Sequence, residues 1–125
     1  MKKEIISKNA PKAIGPYSQG IETDNFVFLS GQIGINAEGE VVEGGTLKEF
    51  EQIMENIKAI LKEVGLDLSS IVKTTVFLKN ISDFNQVNES YKKYFTNPYP
   101  ARSTVEVASL PKNLNIEVEI IAIKK

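Results

Sequence analysis

Apolar residues recur at helical spacing in two stretches of the chain and alternate, or form dense runs, in most of the rest. Phe50, Ile53, Met54, Ile57, Ile60, Leu61 and Val64 follow one another every three or four positions, the period of one helix face. Thr46-Leu47-Lys48-Glu49 before them reads as a capping box, with hydroxyl and carboxylate meeting the first free N–H groups, and Gly65 supplies the stop. A second stripe of Phe84, Val87, Tyr91, Tyr94 and Phe95 follows a Ser82-Asp83 cap, and Thr96-Asn97-Pro98-Tyr99-Pro100 breaks it.

The remaining apolar runs predict strands. Residues 3–7 form a short edge strand. Residues 20–23 and 26–30 form a pair joined by the turn residues Asp24-Asn25, with Gly31 marking a bulge or a close approach of ligand to backbone. Residues 71–79 are β-branched on both faces and predict a central strand largely buried on both sides. Ser103, Val105 and Val107 fall on one face of a further strand, with Arg102, Thr104 and Glu106 on the other. The last strand covers residues 115–123, and the turn chemistry of Ser109-Leu110-Pro111-Lys112-Asn113 before it predicts an antiparallel hairpin between these two. The expected fold is therefore α+β: a single domain over residues 1–125, with a mixed sheet and two helices packed on one face.

On the last strand Ile116, Val118, Ile120 and Ala122 share the face expected under the helices. Glu117, Glu119, Ile121 and Ile123 occupy the other face, where a chain this short has no third layer to cover the aliphatics. That pattern predicts an oligomer with Glu117 at or near the subunit boundary.

Composition narrows the chemistry. Fifteen basic residues against sixteen acidic ones leave a net charge of −1, no electrostatic footprint for nucleic acid or an anionic membrane. The chain has no Cys and no His, which removes disulfides, thiolate nucleophiles and thiolate metal sites, and the commonest general base. Proton transfer near neutral pH falls to carboxylate, Lys, Tyr, backbone or water. Residues 1–8 carry no apolar signal core and no run is long enough to span a bilayer, so the expected location is cytoplasmic.

Two residues on the expected hairpin stand out. Arg102 follows a Pro-Ala dipeptide at the mouth of an apolar strand, and Glu117 interrupts another. An arginine fork and a carboxylate on one rigid hairpin would bind a small carboxylate and activate a water. A structural ion pair of Arg102 with Glu106 or Glu119 is the competing reading. Tyr17, on a loop stiffened by Gly15-Pro16, is either a packed ring or a ligand-facing hydroxyl; Asn88 borders the second helical stripe, where an amide is usually a satisfied boundary residue.

The segments Asn9-Ala10-Pro11, Ile14-Gly15-Pro16-Tyr17-Ser18-Gln19, Ser30-Gly31-Gln32-Ile33, Val72-Lys73-Thr74-Thr75-Val76-Phe77 and Pro100-Ala101-Arg102-Ser103 together resemble the RidA family, also called YjgF, the reactive-intermediate deaminases. Val105-Glu106-Val107-Ala108 and Leu110-Pro111 continue the match over nearly the whole chain. The resemblance implies a trimer similar to the small trimeric chorismate mutase, with pockets between subunits. It also implies cofactor-free and metal-free hydrolysis of 2-imino and enamine acids, such as 2-iminobutanoate and 2-iminopropanoate, to 2-oxo acids and ammonia. It assigns carboxylate binding to Arg102, water activation to Glu117, pocket closure to Tyr17, a lining backbone to Gly31 and a pocket amide to Asn88. It places Thr104 in the substrate pocket where many members have Cys: with a thiol nucleophile the protein would be inactive, whereas a pocket that uses the backbone there tolerates Thr104, and direct hydrolysis by water favours the latter. Other readings are a non-catalytic small-carboxylate-binding or chaperone-like protein, an endoribonuclease or translation inhibitor, which the charge balance disfavours, and chorismate mutase activity from fold alone, which fold does not establish.

Overall fold

Both amphipathic stripes form helices over the same side of one sheet, but the second helix ends at Tyr91, so that Tyr94 and Phe95 follow it outside the helix. The computed structural model describes residues 1–124. Its strands are β1 (Lys3–Ile5), β2 (Gly20–Glu22), β3 (Phe26–Ile33), β4 (Ile71–Leu78), β5 (Ala101–Glu106) and β6 (Ile116–Ile123), with helices α1 (Thr46–Lys62) and α2 (Phe84–Tyr91). They are ordered β1-β2-β3-β6-β4-β5, an α+β fold. Phe50, Ile53, Met54, Ile57, Ile60 and Leu61 of α1 are fully buried with Val27, Val76, Leu78, Ile116, Val118 and Ile120 of the sheet. At about 1.5–3 kcal/mol for each large side chain, this layer is the main source of stability.

The expected hairpin of residues 103–107 with 115–123 is not formed. β6 lies between β3 and β4, antiparallel to both, while β5 runs parallel to β4 with Arg102 beside Thr74. The reason is topological. The chain from β4 through α2 to β5 is a strand–helix–strand crossover, which returns β5 in the direction of β4. The eight-residue β6 then fills the sheet centre, where its alternating apolar face is best covered by α1.

Three local expectations are also corrected. α1 has Gly45 at its N-cap with φ 89° and no side-chain cap. Thr46 Oγ1 instead donates to Asp83 Oδ2 at 2.7 Å, and the Glu49 carboxylate accepts from Asn115, so the capping box gives way to bonds between elements. α2 likewise lacks a side-chain cap and follows a short 3-10 turn, Ile81–Asp83; Asp83 spends its carboxylate on Thr46 and Gln86. Finally, β4 buries one face only within a single chain: Ile71, Thr74, Val76 and Leu78 are buried, whereas Val72, Lys73, Thr75 and Phe77 are not.

The face away from the helices stays open. Phe26, Phe28, Val105 and Ile123 are each more than 40% exposed there, an apolar surface of the kind that meets another chain.

Candidate functional site

Glu117 sits on that open face of β6, beside Ile33 of β3 and Phe77 of β4. A bulge in β3 shapes its surroundings. Leu29 pairs with Ile120 and Gln32 with Val118, so Ser30 and Gly31 together oppose the single residue Glu119. The extra residue brings the backbone of Gly31 against the Glu117 carboxylate, where a Cβ would collide with Oε2. Only glycine permits that approach.

A cleft of about 880 Å³ opens over this point. Tyr17, Gly31 and Glu117 line it together, with Ile14, Ile33 and Ile35 as apolar wall and Lys12, Lys112 and Glu119 as charged groups. Burial against this wall raises the Glu117 pKa above the ordinary glutamate value, and the neighbouring Glu119 charge adds to the effect. A carboxyl poised in this way accepts and returns a proton more readily at neutral pH than an exposed one.

Tyr17 reaches the cleft from the long loop between β1 and β2. Its N–H donates to the Gly15 carbonyl at 2.8 Å, and its ring stays half exposed rather than packed. Gln19 holds the loop. Its Oε1 accepts from Ser7 N at 2.6 Å, and its Nε2 lies within hydrogen-bond distance of the carbonyls of Ser7, Ala10 and Pro11.

Arg102 lies elsewhere. On β5, an edge strand, Arg102 and Thr104 share the helix side, next to Thr74 and Val76. The guanidinium rests 4.7 Å from the Tyr91 ring centroid and 5.6 Å from that of Phe84, a cation–π contact. The Tyr91 hydroxyl is bonded to Thr74 Oγ1 at 2.8 Å, and burial raises its pKa. Half-buried Asn88 stands on α2 one turn from both rings. Arg102 makes no ion pair among the described residues; Glu106 instead accepts the Ile81 N–H, and Glu119 is on the opposite face. The expectation of Arg102 and Glu117 on one rigid hairpin is therefore corrected. In one chain Tyr17, Gly31 and Glu117 converge, while Arg102, Thr104 and Asn88 form a second group on the other side of the sheet.

Sequence reasoning missed Gln19 as the clamp of the Tyr17 loop, and it missed Glu49 and Asn56 as buried polar residues of α1. The signal for the last two was present: they are seven residues apart, in register with the apolar stripe. No group of three or more Asp, Glu, His or Cys able to hold a metal occurs among the described residues, and no helix is long and apolar enough to cross a membrane.

Comparison with known proteins agrees with this architecture. The family model described as Endoribonuclease L-PSP matches residues 7–124. The human protein named 2-iminobutanoate/2-iminopropanoate deaminase is 46% identical over 125 residues, spanning 99% of this chain and 91% of that protein. The protein of the same name from Escherichia coli K12 is 45% identical over 128 residues, spanning 100% of both. A crystal structure of E. coli TdcF with bound serine superposes with a TM-score of 0.92 at 41% identity, over 98% of this chain and 99% of that one. The cleft, the bulge beneath Glu117 and these full-length similarities lead to one assignment: the chain belongs to the Endoribonuclease L-PSP family, also known as the YjgF/RidA family.

Proposed function

We propose that the protein is a cofactor-independent deaminase that hydrolyses reactive 2-imino and enamine acids, among them 2-iminobutanoate and 2-iminopropanoate, to 2-oxo acids and ammonia. Relatives 43–51% identical over nearly the whole chain carry the name of this activity. The observation that carries the reading is the half-buried Glu117 carboxylate, with its raised pKa, over the Gly31 backbone in an apolar-walled cleft.

The chemistry needs one water and one group that both takes and gives a proton. Glu117 accepts a proton as the water oxygen bonds to the imine carbon, and passes it to the imine nitrogen. The resulting carbinolamine loses its hydroxyl proton to Glu117, which delivers it to the amino nitrogen as the C–N bond breaks. Ammonia and the 2-oxo acid leave, and the carboxylate is regenerated. Tyr17 closes the cleft over the reacting carbon.

The substrate carboxylate is bound by Arg102 of a neighbouring copy, with Thr104 and Asn88 beside it. Within one chain Arg102 faces away from Glu117, so a site using both joins the β5 edge of one subunit to the cleft of the next. A contact between two different surfaces repeats until a ring closes, here a homotrimer, and it covers the exposed Phe28, Val105 and Ile123. The protein acts in the cytoplasm, in keeping with the absence of Cys.

The test is imine hydrolysis by the purified protein, with an amino-acid oxidase supplying the imine and semicarbazide trapping what is left. Arg102→Ala and Glu117→Ala are each expected to be inactive. Trimers mixed from the two variants should regain activity, because some clefts then combine an intact Arg102 with an intact Glu117. No acceleration by the wild type overturns the deaminase reading; inactive mixed trimers overturn the shared site.

A further inference from the structure

Helix α1 carries two polar residues in its buried stripe, and each is bonded to the chain just outside one of the strands that form the cleft floor, beyond the end of β3 or before the start of β6. Asn56 is fully buried; its Nδ2 donates to the Ile35 carbonyl at 2.9 Å, just beyond the end of β3. Glu49, only 3% exposed, accepts at 2.8 Å from the backbone N–H of Asn115 and at 2.7 Å from its Nδ2, at the start of β6. Asn115 is two residues before Glu117. The chain leaving β3 is also held close to the helix at this point: a Cβ on Gly34 would lie 2.6 Å from that of Glu49.

A buried carboxylate is costly unless its oxygens are bonded, and the partner of both Glu49 oxygens is Asn115. The arrangement fixes the start of β6 against α1 by charge-assisted bonds, which are short and directional. Asn115 is tied to β4 as well, through its carbonyl and the Lys79 N–H at 2.9 Å. The next side chain on the open face is Glu117, whose carboxylate has to clear Gly31 with no room to spare.

We propose that Glu49 is a positioning residue, which through Asn115 sets the height of β6 and so holds the Glu117 carboxylate in place over the Gly31 backbone. The inference rests on the deaminase reading only where turnover is the readout; the placement of Glu117 is measurable without it. β6 itself stays laddered to β3 and β4, but lengthening or loss of the Glu49–Asn115 bonds frees the segment leading into it and lets its first residues, Glu117 among them, shift against the β3 bulge. A misplacement near 1 Å lowers a catalysed rate by about ten- to a hundredfold.

The experiment compares Glu49→Ala, Glu49→Gln and Asn115→Ala with the wild type by steady-state kinetics and by carbon-detected NMR titration of the Glu117 carboxyl. Glu49→Ala should lower kcat about ten- to a hundredfold with little change in KM, and should move the Glu117 titration toward that of an exposed glutamate. Glu49→Gln keeps an acceptor for the Asn115 N–H and should restore both. Asn115→Ala removes one of the two bonds and should give an intermediate shift, which keeps the test open if Glu49→Ala does not fold. A folded Glu49→Ala or Asn115→Ala variant in which the Glu117 titration is unchanged overturns the proposal. So does a Glu49→Gln variant as impaired as Glu49→Ala. A wild type without imine hydrolysis, but with the titration shifts intact, would remove the deaminase reading and leave the positioning role standing.

Discussion

The backbone of Gly31 lies directly against the Glu117 carboxylate, and the β3 bulge that brings it there leaves no space for a Cβ. Gly31→Ala therefore sets a methyl against the end of a flexible side chain rather than against rigid backbone. The chain should fold, at a cost of about 1–3 kcal/mol, because Glu117 can swing aside into the cleft. Imine hydrolysis should fall on the order of a hundredfold. Denaturant melts beside turnover assays check this; a Gly31→Ala enzyme with wild-type kcat would show that Glu117 tolerates displacement.

The pH dependence has a definite sign. Burial first, and Glu119 second, raise the Glu117 pKa above 4.5. Between 4.5 and that raised value the folded chain binds more protons than the unfolded one, so stability contributed by this group falls as pH rises through the window. Turnover runs the opposite way, since the ionised carboxylate is the base: burial and Glu119 push its acid limb up, and the guanidinium of the neighbouring copy's Arg102 pulls it down. Glu119→Gln should move that limb to lower pH. Glu117→Gln should melt at or above the wild-type temperature at pH 7 while losing activity. A limb that does not move in Glu119→Gln argues for another titrating group.

The helices were legible because α1 writes its buried face in an unbroken 3.6-residue period, from Phe50 to Leu61. The bulge at Gly31 and the two-faced pattern of β6 were legible as well. Strand order was not. The turn residues between Val107 and Asn115 look like those of a hairpin, and nothing local in β5 says that its partner is β4. The crossover β4–α2–β5 was the available signal, and it outweighs loop chemistry because a helix between strands brings the chain back parallel. The partition of the site was hidden for the same reason: with β5 and β6 taken as neighbours, Arg102 and Glu117 were expected together. Polar residues were misread where tertiary bonds replaced local ones, as with Thr46 and Glu49, whose side chains leave their own helix end for Asp83 and Asn115.

Gln19 tests whether the Tyr17 loop is held from within. Its amide accepts from one backbone N–H and offers its donors to three backbone carbonyls. Gln19→Ala should cost about 2–4 kcal/mol, since the buried Ser7 N–H loses its acceptor along with the other bonds. Hydrogen exchange should quicken over residues 7–17, and KM should rise as Tyr17 loses its support. Gln19→Glu keeps the acceptor but turns a carboxylate toward the carbonyl oxygens, so it should be at least as unstable as Gln19→Ala. A stable Gln19→Glu protein would mean that the Ser7 bond alone holds the loop.

Arg102 has both a packing and a binding role to separate, and Arg102→Met separates them. The guanidinium lies over Tyr91 and Phe84 at 4.7 and 5.6 Å, an interaction of about 0.5–2 kcal/mol. Methionine fills the same slot with a thioether that also packs well against aromatic rings, but it offers no donor to a carboxylate. Arg102→Met should therefore melt within a few degrees of wild type and show no imine hydrolysis. Arg102→Lys retains charge without the planar fork, and should raise KM on the order of tenfold. An active Arg102→Met enzyme would reduce Arg102 to a packing residue of the β5–α2 edge and move substrate recognition to the lysines of the cleft, Lys12 and Lys112.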